Sequence, residues 1–99
     1  MQYTAEQRKY LRGLAHELEP VVRVGRARVT PEVATEANRS LEAHELIKVR
    51  IDVEGGDARR ALAEDLADRT GATVITSIGK IAVLFRPREE KPGIRLPRP

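Results

Sequence analysis

The chain has 99 residues, no cysteine, three aromatic residues and a formal net charge of +3. That length suits a single domain. The lack of cysteine excludes disulfides, thiolate metal sites and cysteine nucleophiles. No apolar run approaches the ~18 residues of a membrane span, the N-terminus lacks the basic-then-apolar pattern of a signal peptide, and a cytoplasmic location is the expectation. With only Tyr3, Tyr10 and Phe85 available, a binder that stacks several bases on sheet aromatics is not expected.

The distribution of charge is more informative than its sum. Residues 1–85 carry 13 basic and 13 acidic side chains, so the excess lies in residues 86–99. Within the balanced part, Arg23, Arg26 and Arg28 form an acid-free cluster, and Glu32, Glu36, Glu42 and Glu45 follow against Arg39 alone. This polarises the surface.

Thr4 and Gln7 form a T-x-x-Q capping box, and Leu11, Leu14, Ala15 and Leu18 recur at helical spacing, predicting a helix over about 5–18 that Pro20 stops. Val21-Val22-Arg23-Val24 is a short strand broken by Gly25. Thr30-Pro31 places an N-cap residue before a proline at the first helical position. The helix that follows runs to about residue 45, with Val33, Ala34, Ala37, Leu41 and His44 on its inner face. Next, Ile47, Val49, Ile51 and Val53 alternate with Lys48, Arg50, Asp52 and Glu54, a strand with one aliphatic and one charged face.

Gly55-Gly56 turns the chain, and Asp57 is a candidate cap for a third helix with Ala58, Ala61, Leu62 and Leu66 facing inward. Gly71 stops that helix. Thr73 to Ile78 and Ile81 to Phe85 are strands joined by Gly79-Lys80, which suits a type II′ turn. The last strand is apolar on both faces, which places it centrally.

The fold class is therefore α/β, in the order α-β-α-β-α-β-β, with a four-stranded mixed sheet and flanking helices. Strand order 1-2-4-3 is favoured over 1-2-3-4. Both crossover helices are expected on one sheet face. The N-terminal helix packs either at an edge or over part of the other face. Residues 1–88 form the domain, and 89–99 form a basic, proline-rich tail, extended and flexible, which either wraps RNA or only aids solubility.

Gly25-Arg26-Ala27-Arg28-Val29-Thr30-Pro31 leads into a helix N-terminus, where free N–H groups and the helix dipole suit phosphate. Its arginines add charge-assisted bonds; otherwise they only solubilise an exposed connection. Lys48 and Arg50 share one strand face, with Asp52 and Glu54 as candidate ion partners. Lys80 at the hairpin tip is at most auxiliary. His16 and His44, the only histidines, show no metal or acid–base pattern. No catalytic motif is present, so an enzyme, a cofactor and a small-molecule substrate are not expected.

Leu11-Arg12-Gly13-Leu14-Ala15-His16, Pro20-Val21-Val22, Gly25-Arg26, Val29-Thr30, Glu45-Leu46-Ile47-Lys48-Val49-Arg50 and Gly79 through Pro87 together resemble the bacterial YhbY-like proteins, which are single CRM domains. The similarity extends to Ile94-Arg95-Leu96-Pro97-Arg98. It implies a fold similar to the C-terminal domain of translation initiation factor three, RNA binding, and association with ribosomal RNA in the precursor of the large ribosomal subunit. The family's G-x-x-G loop reads Gly25-Arg26-Ala27-Arg28 here, so Arg28 replaces the second glycine. A guanidinium can reach phosphate where close backbone approach is lost, and a positive φ at Arg28 would be strained.

The expected role is thus a non-enzymatic RNA-binding protein in ribosome assembly, monomeric, without membrane contact. Its candidate contacts are Arg23, Gly25, Arg26, Ala27, Arg28 and Thr30, with Lys80, Lys48, Arg50, Arg86 and Arg88 behind them. Two alternatives are an Alba-like protein that compacts DNA or RNA, and a protein–protein adaptor on the ribosome using the acidic helix.

Overall fold

A computed structural model describes residues 2–99. The elements are α1 (Ala5–Ala15), β1 (Pro20–Val24), α2 (Pro31–His44), β2 (Leu46–Ile51), α3 (Gly56–Thr70), β3 (Thr73–Ile78) and β4 (Ile81–Phe85). The sheet order is β1-β2-β4-β3, with β1 parallel to β2 and β4 antiparallel to both neighbours. The expected order and mixed pairing are therefore present. The hairpin turn has positive φ at Gly79 and not at Lys80, the pattern of a type II′ turn.

The central strands are buried on both sides by two separate cores. On one face, Ala37 and Leu41 of α2 and Leu62, Ala63, Leu66 and Ala67 of α3 meet Val22, Val24, Ile47, Val49, Ile51, Ala82 and Leu84. On the other, Leu11 and Ala15 of α1 meet Leu46, Ile75, Val83 and Phe85. Here α1 covers only part of the sheet, and Tyr3, Ile94 and Leu96 complete the layer. Tyr3 packs edge-on against Phe85 at 5.6 Å between ring centroids. Burial pushes its phenol up, with Arg8 opposing.

Several local expectations change. The first helix ends at Ala15, not Leu18. Its buried residues are Gln7, Leu11 and Ala15, a strict four-residue repeat, which leaves Leu14 and Leu18 exposed. The capping box is present: the Gln7 N–H donates to Thr4 Oγ1 at 3.1 Å and the Thr4 N–H to Gln7 Oε1 at 3.0 Å. In α3, Gly55 is the N-cap at φ +95°, with no side-chain cap. Asp57 instead lies in the first turn and pairs with Arg60. Ala61 is exposed, because Leu62, Ala63, Leu66, Ala67 and Thr70 form the inner stripe. Gly71 ends the helix in the left-handed conformation at φ +73°, as expected.

At the end of α2 the inner stripe continues from Leu41 to Glu45 rather than to His44. His44 is exposed and Glu45 is 1% exposed. Glu45 has a φ of +65°. Its Oε1 accepts the N–H groups of Gly93 and Ile94, and its Oε2 that of Arg88, all at 2.8 Å. The Gln7 amide donates to the Pro97 carbonyl at 2.9 Å. The final segment is extended, as its composition indicates, but it is docked on the domain through Glu45, Gln7, Ile94 and Leu96 rather than a free arm.

Candidate nucleic-acid interface

Three connections converge at one end of the sheet. The loop after β1, the residues after β2 and the β3–β4 turn are tied together there. Asp52 N–H donates to the Val24 carbonyl at 2.8 Å, and Ile51 N–H donates to the Lys80 carbonyl at 2.7 Å. The N-termini of α2 and α3 start from the same end.

The loop Gly25–Arg28 is a turn closed by the Arg28 N–H on the Gly25 carbonyl at 2.9 Å. Val29 is 7% exposed and belongs to the α2/α3 core. This anchor leaves Arg26, Ala27 and Arg28 exposed. Arg28 has a φ of +65°, a conformation that costs an L-residue roughly 1–2 kcal/mol. A Cβ added at Gly25 would meet nothing within 4 Å, so packing does not require a glycine there. Its missing side chain leaves the backbone open to an approaching group.

Arg26 and Arg28 have no carboxylate partner among the described residues. Arg23 and Arg50, neighbours across β1 and β2, share one. Each places Nε 2.8 Å from an oxygen of Asp52, so the trio keeps one net positive charge. Lys80 lies 4.0 Å from Glu54, whose side chain is 94% exposed; an ion pair so open to water contributes little. Thr30 serves as the N-cap, accepting from Val33 N–H at 3.1 Å. Pro31 has no N–H and the Ala34 amide goes to the Thr30 carbonyl, so the first turn of α2 offers little beyond the Glu32 N–H. The electropositive character of this edge rests on guanidinium groups more than on the helix dipole.

The other sequence candidates are placed apart from this loop. Lys48 is half-buried beside α1, its Nζ 3.4 Å from the His16 carbonyl. The expected open charged face of β2 is thus partly covered. Arg86 donates to the Thr70 carbonyl at 2.7 Å and to Asn38 Oδ1 at 2.8 Å. Arg88 donates to the Glu42 and Ala43 carbonyls at 3.1 and 3.0 Å. Both cap helix C-termini, where cations are favoured. They lie at the far end of α2, about 20 Å from the loop at 1.5 Å rise per residue.

Two features escape the sequence. Asp52 is visible there as a partner for Arg50, but its simultaneous bond to Arg23 depends on strand pairing. Glu45 reads as one more acid on a solvated helix. Its three amide donors come from residues 88, 93 and 94, outside any local pattern.

The model of the CRS1/YhbY (CRM) domain family matches residues 4–86. The chain belongs to that family. It is 38% identical over 96 residues to a protein of Pseudomonas aeruginosa named a probable RNA-binding protein, covering 97% of this chain and 91% of that one. It is also 38% identical over 95 residues to a Haemophilus influenzae protein named an RNA-binding protein, covering 96% and 95%. Among solved structures, that of a hypothetical protein from Staphylococcus aureus superposes with a TM-score of 0.84 at 32% identity, covering 97% and 100%.

Proposed function

We propose that this protein binds RNA, that it does so through the basic edge formed by Arg23, Gly25, Arg26, Ala27, Arg28, Arg50 and Lys80, and that its partner is ribosomal RNA in a large-subunit precursor whose assembly it assists without catalysis. The observation that carries this reading is the pair Arg26 and Arg28, exposed on a closed turn and without carboxylate partners among the described residues. Guanidinium groups held outward in this way match phosphate oxygens bidentately. Family membership and the names of its relatives support RNA as the polyanion. Contacts through arginine rather than aromatics imply grip on phosphate and 2′-OH, with affinity that falls as salt rises.

The test is the salt dependence of binding to ribosomal RNA. Replacing Arg26 and Arg28 with Ala flattens the slope of log K against log salt by ~0.7–0.9 for each phosphate that is no longer neutralised. An unchanged slope and affinity would remove the loop from the interface. Crosslinking in cells followed by sequencing of the attached RNA tests the partner, and a pool without ribosomal RNA refutes it. Duplex DNA winning in competition at equal salt would favour the nucleic-acid-compacting alternative.

A further inference from the structure

The α1 face of the sheet is only half covered. Near Phe85 and Leu46, α1 and the final segment close it. Toward the basic edge it lies open, and at the boundary a cleft of about 190 Å³ lies between the C-terminal turn of α1 and the strands. Ile81 and Ile78 form its apolar wall, Thr76 adds a hydroxyl, and Arg12, His16 and Lys48 provide its polar side. No carboxylate lines it among the described residues. Ile78 is 73% exposed, the largest exposure among the described large apolar side chains. A single exposed isoleucine is ordinary, but this one borders a concave apolar surface rimmed by cations.

Three properties select the occupant. The volume is below the ~300–1,000 Å³ of pockets that take drug-sized ligands, so one flat ring system is the suitable scale. The lining is cationic and apolar together, which suits a group that is planar and uncharged but attached to an anionic chain. Finally, the cleft is continuous with the basic edge. Lys48 and Arg50 alternate on one face of β2, and Arg50 neighbours Arg23 beside the Gly25–Arg28 loop. The Lys48 ammonium, directed to the His16 carbonyl at 3.4 Å, stands between cleft and edge.

We propose that this cleft seats an unpaired base of single-stranded RNA, lying against Ile78 and Ile81. The Thr76 hydroxyl is then available to the base edge, and Arg12 and Lys48 face the flanking phosphates. Arg12 makes no ion pair among the described residues, so its guanidinium is available for this. The inference rests on the RNA-binding reading and extends it: the basic edge grips the backbone, and the cleft requires the base to be unstacked. A duplex, whose bases are paired and stacked, cannot fill it.

The experiment compares a short oligoadenylate with the same strand carrying abasic positions, and with its duplex form, on the full chain. The intact single strand should bind about tenfold tighter than the abasic strand, equivalent to ~1.4 kcal/mol. Methyl resonances of Ile78 and Ile81 should shift only with the intact strand. In Ile78→Ser, at an exposed position, the intact-to-abasic ratio should collapse toward unity while the salt slope stays unchanged. Equal binding of intact and abasic strands to the wild type, or duplex binding as tight as single strand, overturns the base site and leaves the phosphate edge standing. Failure of every strand to bind at low salt overturns this inference together with the reading beneath it.

Discussion

The Glu45 carboxylate accepts the Gly93 backbone N–H at 2.8 Å, tying the end of α2 to a segment 48 residues later. A Cβ on Gly93 would lie 3.1 Å from both Glu45 Oε1 and Arg88 Nη2. Arg88 has a flexible end that can yield; the buried carboxylate cannot move without stretching its amide bonds. Gly93→Ala is therefore expected to lower stability by about 1 kcal/mol, within the range for one weakened intramolecular hydrogen bond. Urea unfolding measures it. An unchanged midpoint would mean the final segment re-seats without cost.

The same carboxylate makes part of the stability pH-dependent. Burial pushes Glu45 up, but the Arg88, Ile94 and Gly93 amides and the Arg88 charge more than offset this, so it titrates below the ordinary 4.5. The folded state then binds fewer protons than the unfolded state. Its contribution is complete above the unfolded value and disappears as pH falls through the folded one. Glu45→Gln should lose ~1.5–3 kcal/mol at neutral pH, because an amide NH₂ faces N–H donors. The gap between wild type and variant should narrow as acid protonates the wild-type carboxyl. A gap constant with pH would contradict this.

Arg28→Gly separates backbone strain from RNA binding. Glycine takes φ +65° without penalty, so the variant should be more stable by about 1 kcal/mol. It also removes a guanidinium from the proposed interface, so RNA affinity and salt slope should fall together. Thermal unfolding and RNA titration on the same sample check both. A variant that is both more stable and an undiminished binder would show that Arg28 does not touch the RNA.

Arg86→Ala should behave in the opposite way. The guanidinium caps α3 at Thr70 and holds Asn38 of α2, so its loss should cost ~1–2 kcal/mol of stability. The salt slope of RNA binding should stay as in the wild type. A flattened slope with normal stability would move Arg86 into the interface.

The strand order is legible in the sequence because Ile81–Phe85 is apolar on both faces and joined to Thr73–Ile78 by a two-residue turn; only a central position covers both sides. The loop is legible because Gly25, Arg26 and Arg28 occupy one connection and Arg23 sits on the strand just before it. The role of the final segment is not. Its prolines and arginines signal an open chain, while Ile94 and Leu96, one residue apart, are the quiet sign of a buried edge. Arg86 and Arg88 look like further cations for a polyanion, because sequence shows charge but not the helix ends to which it is committed. Leu14 and Leu18 mislead for a related reason: helical spacing identifies an apolar face without showing how much sheet is available to cover it.

The bond from Gln7 to Pro97, 90 residues apart, bears on how the chain is made. A polypeptide leaving the ribosome N-terminus first can assemble β1, α2, β2 and α3 from neighbouring pieces. Leu11 and Ala15 of α1 must wait for Val83 and Phe85, and their layer is finished only when Ile94 and Leu96 emerge. A product broken off before Gly93 would leave Glu45 with one of its three amide donors. Arrival of Gly93 and Ile94 is thus registered by the fold itself, at a carboxylate laid down some 48 residues earlier.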